Sequence, residues 1–420
     1  MAEEGPSQGV SAALGIESGV CVVEVEGTTA DDPRVSNLRW TTAGESHGSA
    51  LVGILEGLPA GMELSIERID RELARRWRGY GRGARSKIEN DRVEVVAGLR
   101  AGRTLGSPLC LRLANRDHSI EELPVPGDPR PGHADLSGCQ KFTHRDPRAV
   151  MERASARETA MRVALAGAAR QLLEGFGVEV FAHVVELGGV AGSPDAFERA
   201  GEDRAALREA SDFQALEPER EAEWRATVDR AQEDRDSLGG VFEVRALGLP
   251  PGLGSHSSGP ERLTGRLAGA LMSIPAMKGV EFGLGFEAAR RPGSQVHDPI
   301  HLSKSGLGAP NGWGRFVRST NHSGGLEGGM TTGEPLVARV AMKPIPTLRR
   351  GVETVEFETG AASRATYQRS DVTSVPAASV VGEAMVALEL ARAFRDKFGG
   401  DALDHVADAV EAFRQRLADV

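Results

Sequence analysis

The chain has 420 residues, a formal net charge of −10 and only 5% aromatic residues. An acidic chain lacks the basic face that general nucleic-acid binding requires, and so few aromatic residues offer little for base stacking. The apolar runs are interrupted by Gly, Pro or charge before they reach membrane-spanning length. Three cysteines without paired spacing predict neither a disulfide framework nor a zinc site.

The first 37 residues are polar and Gly-rich, and they carry acids such as Glu3 and Asp31. They show neither the apolar core of a signal peptide nor the Arg richness of a transit peptide. We therefore expect residues 1–37 to form a mostly disordered extension and the protein to be cytoplasmic. A catalytic domain over 38–400 and a helical tail over 401–420 are expected to follow.

The pentapeptide Gly44–Gly48 (GESHG) allows two interpretations. It fits the nucleophile elbow of serine hydrolases, with Ser46 as nucleophile, but that motif needs a helix directly after it. Residues 50–59 hold two glycines and a proline, which disfavour a helix and favour a second buried strand after the one over 37–42. The context therefore favours His47 as an acid in a ligand-binding loop.

A helix is predicted over Ile66–Arg78, followed by a Gly-rich cationic loop over 78–87. Between positions 71 and 92 there are eight cations and three acids. Because Arg side chains bind phosphate and carboxylate groups bidentately, we expect this loop to close over an anion.

Strands are predicted over 93–98 and 105–114, and a long irregular stretch over 115–147. That stretch contains His133, Asp135 and His144, which lie close enough in sequence to be metal ligands. Their spacing matches no zinc template, so a metal-dependent hydrolase is an alternative rather than the preferred hypothesis.

The clearest helix is predicted over 152–175. It opens with Arg153-Ala154-Ser155, and cations and a hydroxyl at a helix start suit an anion. Further strands are predicted over 178–187, 241–249, 278–282 and 336–342, and helices over 193–234, 262–274 and 377–398. The alternation lacks regular βαβ spacing, which indicates one α+β domain.

Cationic, Gly-rich loops thus occur at 76–87, 153–157 and 343–369, together with three histidines, at 47, 133 and 322. This combination suits ligands with several phosphate and carboxylate charges and a histidine as proton donor near neutral pH.

Several long motifs, in order and at the right spacing, together resemble the chorismate synthase family from about Leu38 to Gly400. They are Thr42–Gly48, Pro131–Asp135, Arg153–Arg162, Asp236–Gly240, Lys278–Glu281, Asn321–Met330, Lys343–Thr347 and Arg369–Val372. Many motifs spread over nearly the whole chain are far more specific than the pentapeptide alone.

The resemblance implies a single α+β domain, a β-α-β sandwich of mostly antiparallel sheets with helices and Gly-rich active-site loops. It implies 1,4-anti elimination of phosphate from 5-enolpyruvylshikimate 3-phosphate to give chorismate, the last step of the shikimate pathway. The cofactor implied is reduced FMN, with NADPH a possible reductant. A homotetramer is also implied, and a compact chain suggests an external flavin reductase.

The resemblance also assigns roles to residues. His47 resembles the proton donor near the departing phosphate, His133 the residue that protonates or stabilises reduced flavin, and Asp371 the carboxylate that assists proton removal through flavin N5. Arg76 and Arg82 match arginines assigned to NADP or substrate phosphate. The flavin-binding positions implied are Arg153, Ala154, Ser155, Pro275, Ala276, Gly328, Lys343, Pro344, Ile345, Pro346, Thr347 and Arg369. No metal site is implied.

Overall fold

Two antiparallel sheets enclose a layer of helices in the computed structural model, which describes residues 37–82, 91–303, 312–367 and 371–420. The strands are β1 (Arg39–Ala43), β2 (Ala50–Glu56), β3 (Glu94–Ala97), β4 (Leu99–Arg100), β5 (Arg103–Thr104), β6 (Leu109–Ala114), β7 (Glu179–Leu187), β8 (Val190–Ala191), β9 (Gly240–Leu247), β10 (Met277–Phe282), β11 (Ile300–Leu302), β12 (Phe316–Arg318), β13 (Leu326–Glu327), β14 (Met330–Thr331), β15 (Leu336–Met342), β16 (Glu353–Val355) and β17 (Ala362–Arg364). The α-helices are α1 (Ile66–Trp77), α2 (Asp135–Phe142), α3 (Arg148–Met151), α4 (Thr159–Glu174), α5 (Ala196–Ala200), α6 (Arg204–Ala210), α7 (Glu221–Glu233), α8 (Leu263–Met272), α9 (Val375–Phe398) and α10 (Leu403–Asp419).

The first sheet has four antiparallel strands in the order β1-β2-β6-β3. Side chains of a strand alternate between the two faces of its sheet. The leucines at alternate positions of β2 and β6 are accordingly fully buried on the inner face, as at Leu51, Leu55, Leu111 and Leu113. This face packs against α4, which lies between the two sheets.

The second sheet has five antiparallel strands in the order β10-β15-β9-β7-β8. Phe242, Val244 and Ala246 of β9 line its inner face and are fully buried. Its outer face is also covered, because Phe181 of β7 packs with Phe197 of α5 in a smaller apolar cluster. Both faces of this sheet are therefore shielded from water.

Helix α9 is the centre of the molecule, and 21 of its 24 residues are buried. It contacts α4 and α1 on one side and strands β7 and β9 on the other. Gly382 permits the close approach to the second sheet, since a Cβ there would lie 2.2 Å from the ring of Phe242. A helix that is buried nearly all round belongs in such a core, and its buried Glu383 and Glu389 are paired with arginines.

The α+β sandwich implied by the resemblance is confirmed, and most predicted elements form. Two predictions were wrong in detail. The stretch over 115–147 is not wholly irregular, because Asp135 begins helix α2 with its carboxylate buried. The helix predicted from 152 begins at Thr159, because Ser155 caps a separate 3-10 turn over Ala156–Glu158.

The strand predicted over 105–114 is also shorter than expected and begins at Leu109. Gly106 adopts a positive φ of 78° and Pro108 has no N–H to donate, so neither suits a central strand. The predicted extension falls almost entirely outside the described residues, as does the part of the cationic loop over 83–90. Of the helices in the described ranges, none combines the length and hydropathy needed to cross a bilayer.

Candidate active site

The Gly44–Gly48 loop connects two strands rather than a strand and a helix. It lies between β1 and β2, and Ser46 is buried. Gly44 adopts a φ of 106°, and a Cβ there would lie 2.3 Å from the carbonyl oxygen of Ala50, so the turn requires glycine. The sharp strand-to-helix turn of a nucleophile elbow is absent from this loop, which supports the second interpretation of the pentapeptide.

His47 is held by the buried carboxylate of Glu152, at the end of α3. The Nδ1 atom of His47 lies 2.7 Å from Oε2 of Glu152, and the backbone N–H of His47 donates to the same oxygen at 3.1 Å. Nε2 points toward the more exposed Asp117, 3.6 Å away. Burial raises the pKa of Glu152, but hydrogen bonding to His47 and the charges around it outweigh burial and bring the value to about 2.

His133 has the same kind of partner in Asp135, at the start of α2. Its Nδ1 lies 2.5 Å from Oδ1 of Asp135, and Arg130 donates to Oδ2 of Asp135 at 2.8 Å. Asp135 is fully buried, which raises its pKa, yet the hydrogen bonds from His133 and Arg130 lower that pKa well below its usual range. Two histidines of the site are therefore each oriented by an ionised carboxylate.

Arg76 is a buried cation at the end of α1. Its Nε donates to Oγ1 of Thr159 at 3.1 Å and its Nη2 to the carbonyl oxygen of Ala156 at 2.6 Å. Its Nη1 is buried and has no hydrogen-bond partner among the described residues. Burial, together with repulsion from Arg82 and Arg157, lowers the pKa of Arg76 to about 9, so the side chain stays charged at neutral pH.

Arg82 forms an ion pair with Asp371, with 2.7 Å between Nη1 and Oδ2. Ser374 donates to the same carboxylate oxygen at 2.6 Å. The guanidinium groups of Arg76 and Arg82 lie 5.1 and 6.0 Å from the ring centroid of Trp77. Two sequence-distant segments, near 76–82 and near 371–374, thus form one cationic corner, in which Asp371 faces Arg82 and Asp91 lies beside Arg76.

The loop Lys343–Thr347 links this corner to His133. Ser237 donates to the carbonyl oxygen of Ile345 at 2.7 Å, and the next residue, Leu238, pairs with Thr373 in the segment after Asp371. Near its start the loop contacts the His133 turn, because Nζ of Lys343 donates to the carbonyl oxygen of Gly132. Arg130 reaches Oγ1 of Thr347 at 3.5 Å.

Lys343 has the chemistry expected of a phosphate-binding residue. Burial and the neighbouring Lys278 lower its pKa. Within the described ranges, neither lysine has a carboxylate within ion-pair distance, so an anion would relieve their repulsion. The backbone N–H of Lys343 donates to the carbonyl oxygen of Ala276, which adopts a positive φ of 73°. Such strain in a residue with a Cβ is characteristic of functional sites.

The remaining predicted flavin-binding residues are only partly brought together. Arg153 donates to the carbonyl oxygens of Thr42 and Gly44, so it lies beside the His47 loop. Gly328 lies near the start of α8, where the carbonyl oxygen of Gly329 accepts from Leu263, whereas Ala276 follows the end of that helix. Ten helical residues separate the two ends by about 15 Å. Arg369 lies outside the described residues.

The geometry can now be set beside known proteins. A family model described as chorismate synthase matches residues 38–394. A chorismate synthase from Desulforudis audaxviator is 51% identical over 393 residues, covering 90% of this chain and 98% of that protein. One from Trichlorobacter lovleyi is 50% identical over 381 residues, covering 88% and 96%. A solved crystal structure of chorismate synthase is 42% identical, covers 91% of this chain and 99% of its own, and superposes with a TM-score of 0.74.

The chain belongs to the chorismate synthase family. Its activity is that of a carbon–oxygen lyase of the shikimate pathway, which releases phosphate from 5-enolpyruvylshikimate 3-phosphate to form chorismate. The chorismate synthase family uses reduced FMN, and the neighbouring cations Lys343 and Lys278 have the chemistry that a phosphate group requires.

Neither hydrolase alternative is supported by the comparisons or the geometry. The hydroxyl of Ser46 lies 3.1 Å from Nδ1 of His47, but that nitrogen already faces the carboxylate of Glu152. Asp135 is hydrogen-bonded to His133, whereas the ring of His144 contacts the ring of Phe142. No cluster of three metal-ligating side chains occurs in the part of the chain that the structure describes.

Sequence reasoning missed the residues that hold the catalytic candidates in place. Glu152 is 105 positions away from His47, so no local pattern connects them. Asn115 donates to the carbonyl oxygens of Glu45 and Gly48 and accepts from Arg157, which ties the His47 loop to the arginine cluster. Only the burial of Asn115 and Glu152 beside charged side chains marks them as part of the site, and burial is known only once the fold is known.

Proposed function

We propose that Arg76 and Arg82 bind the anionic groups of 5-enolpyruvylshikimate 3-phosphate in the chorismate synthase reaction. The observation that carries this assignment is the buried guanidinium of Arg76, whose Nη1 lacks a partner among the described residues while Arg82 and Arg157 lie beside it. Among the described residues, the three cations Arg76, Arg82 and Arg157 share the two acids Asp91 and Asp371, so a phosphate or carboxylate would neutralise the remaining positive charge.

His47 then acts as the proton donor to the leaving phosphate. Because Nδ1 is bonded to Glu152, the nitrogen able to deliver a proton is Nε2, on the more exposed side of the ring. Protonating the phosphate as the carbon–oxygen bond breaks avoids releasing its full negative charge into the site. The fixed ring orientation supports this role.

Asp371 assists removal of the ring hydrogen as a proton, and His133 stabilises the negative charge of the reduced cofactor. When bound, reduced FMN supplies electron density to the allylic system and so eases departure of phosphate. Two groups of residues would hold the cofactor. One side would be formed by the Lys343–Thr347 loop with Pro275 and Ala276, and the side next to the His47 loop by Arg153, Ala154 and Ser155. The ion pair with Arg82 and the hydrogen bond from Ser374 hold the Asp371 carboxylate in place.

The assignment is tested by anaerobic turnover of His47→Ala and Asp371→Asn with reduced FMN. We expect kcat to fall by about 10²–10⁴ for each, while the affinity for FMN, measured by fluorescence titration, changes less than about threefold. Loss of FMN binding with an unchanged kcat at saturating cofactor would contradict the roles. His183→Ala, which replaces a buried histidine of β7 outside the site, is the matched control.

We further propose that the reducing equivalents come from an external flavin reductase rather than from NADPH bound by this chain. The arginines that the resemblance links to NADP are the two assigned above to the anionic groups of the substrate, so they would not also be free to bind a dinucleotide phosphate during turnover. Anaerobic turnover with NADPH and FMN as the only reductants should be negligible, and turnover at the dithionite-supported rate would overturn this proposal.

We also propose that the chain assembles as a homotetramer. The hairpin of β11 and β12 exposes Ile300, Leu302 and Phe316 on one face, with side-chain exposures of 60%, 64% and 45%. An apolar face of this kind usually contacts a partner, and a second copy could also bring a Gly328 to a cofactor held near Ala276. Light scattering should give four times 44.5 kDa for the wild type, and a smaller species for Leu302→Glu.

A further inference from the structure

We propose that Glu152 is a positioning residue for His47, one that fixes both the direction and the tautomer of its imidazole ring. The inference rests on the proposed role of His47 as proton donor, and it adds the residue that makes Nε2 the working nitrogen. Nothing in the motifs around His47 identifies Glu152.

Glu152 contacts His47 through two separate hydrogen-bond donors of His47. One carboxylate oxygen, Oε2, faces both Nδ1 at 2.7 Å and the backbone N–H at 3.1 Å. The main-chain carbonyl of Glu152 also accepts from the N–H of Ser46 at 3.0 Å. Ring and backbone are therefore fixed relative to the same residue, which leaves the imidazole little freedom to rotate.

The side chain of Glu152 is itself held in place. Its side chain is 3% exposed, and its other oxygen, Oε1, accepts from Nη1 of Arg148 at 3.1 Å. A buried carboxylate that is bonded at both oxygens keeps one rotamer. Since it remains ionised at neutral pH, it can only accept, so Nδ1 of His47 must carry the hydrogen in both protonation states of the ring.

The charged groups facing His47 are Glu152 on the Nδ1 side, Asp117 on the Nε2 side and, behind Glu152, Arg148. Asp117 is 44% exposed and its carboxylate is 3.6 Å from Nε2, beyond hydrogen-bond length. It is therefore the weaker candidate for orienting the ring, and a substrate anion could take its place at Nε2.

Nuclear magnetic resonance of ¹⁵N-histidine-labelled protein reads the tautomer directly, without cofactor or substrate. The His47 signals are assigned by their loss in His47→Gln. In the wild type, we expect the neutral ring to carry its hydrogen on Nδ1. In Glu152→Gln, we expect the signals to move toward the mixed tautomers of free imidazole, whereas Asp117→Asn should leave them unchanged.

Kinetics supply the second readout. Glu152→Gln should lower kcat by about 10- to 100-fold, with KM within about threefold of the wild type, and Glu152→Asp should recover part of the loss because it restores a carboxylate. Glu243→Gln, the same substitution beside a histidine outside the site, should leave kcat unchanged and controls for general effects on folding.

The outcomes are distinguishable. An unchanged His47 tautomer in Glu152→Gln, or a shift in Asp117→Asn instead, would overturn the positioning role. A tautomer shift in Glu152→Gln with an unchanged kcat would confirm that Glu152 orients the ring but would refute His47 as the proton donor, and with it the proposed function.

Discussion

Three histidines in this protein share one arrangement, an imidazole bonded to a carboxylate that is itself bonded to an arginine. In the candidate site these are His47 with Glu152 and His133 with Asp135. The third is His183 on β7, whose Nε2 lies 3.4 Å from Glu243, which in turn binds Arg245 at 2.6 Å. The third set lies on the outer face of the second sheet, under α5.

The difference lies in access to the ring. The side chains of His47 and His133 are 21% and 17% exposed, whereas that of His183 is 2% exposed. All three carboxylates are buried, so the acid and arginine alone do not distinguish a catalytic histidine from a structural one. A ring with one nitrogen fixed and the other accessible can transfer protons, whereas a ring closed in on both sides can only contribute to packing and hydrogen bonding.

The largest expected contrast comes from replacing one histidine of each kind. His133→Asn should lower kcat by about 10²-fold or more with a small change in the free energy of unfolding. His183→Asn should leave kcat unchanged and lower the free energy of unfolding by about 1–3 kcal/mol, because it leaves a buried carboxylate short of a donor. Anaerobic turnover and urea unfolding of both variants check this, and equal loss of turnover would contradict the distinction.

A similar contrast between site and core, with a smaller effect on turnover, is expected for two buried arginines. Arg76→Gln should raise KM by about 10- to 100-fold, because a charge-assisted bond to an anion contributes about 1.5–3 kcal/mol. Arg208, which binds Glu383 at 3.0 Å in the core, is the comparison. Arg208→Gln should cost about 3–5 kcal/mol of stability without changing KM. An unchanged KM in Arg76→Gln would show that Arg76 does not bind substrate.

The pH dependence of the unfolding free energy should show that the pair of Glu243 and His183 stabilises the fold. Burial raises the pKa of Glu243, but the bonds and charges of His183 and Arg245 outweigh it and bring the pKa to about 2, below the unfolded value of about 4.3. Because the folded pKa is lower, this pair stabilises the fold above about pH 4.3, and that stabilisation is lost as the pH falls toward 2.

The wild type should therefore exceed Glu243→Gln in unfolding free energy by roughly 3 kcal/mol at neutral pH. The difference should shrink between pH 5 and pH 2, as followed by urea unfolding at each pH. A difference that grows on acidification would contradict the ionised state of Glu243.

The smallest effect is expected at Ser46. Ser46→Ala should change kcat by less than about threefold, since it leaves in place both contacts through which Glu152 fixes the ring and backbone of His47. A loss comparable with that of His47→Ala would revive Ser46 as a reacting group. Activity with reduced FMN measures both variants under one condition.

Much of the fold could be predicted from local patterns. The 3.6-residue period of Ile69 and Leu73 gave α1, and the two glycines and proline over 50–59 correctly excluded a helix after Ser46. Helix α2 could not be predicted, because it lies in a Pro- and Gly-rich stretch and its first residue, Asp135, is stabilised there by Arg130 and His133. Tertiary contacts overrode local propensity at that point.

In the candidate site, too, local features could be predicted from the sequence and contacts between distant segments could not. The density of Arg and Gly predicts its anion-binding loops, because charge and backbone freedom are properties of a segment, and that role stays a prediction. The Glu152–His47 contact and the separation of Gly328 from Ala276 along α8 could not be predicted, because both depend on how distant segments meet. Motif resemblance names the residues of a site but not which of them lie together in one chain.

We infer that ring access, rather than the carboxylate partner, separates the proposed catalytic histidines His47 and His133 from His183. The most direct test is phosphate release from 5-enolpyruvylshikimate 3-phosphate in a single turnover with reduced FMN, measured side by side for the wild type, His47→Ala and His183→Ala. We predict a rate at least about 10²-fold lower for His47→Ala and within about twofold of the wild type for folded His183→Ala. Equal losses in the two variants, or a wild-type rate in His47→Ala, would contradict the account.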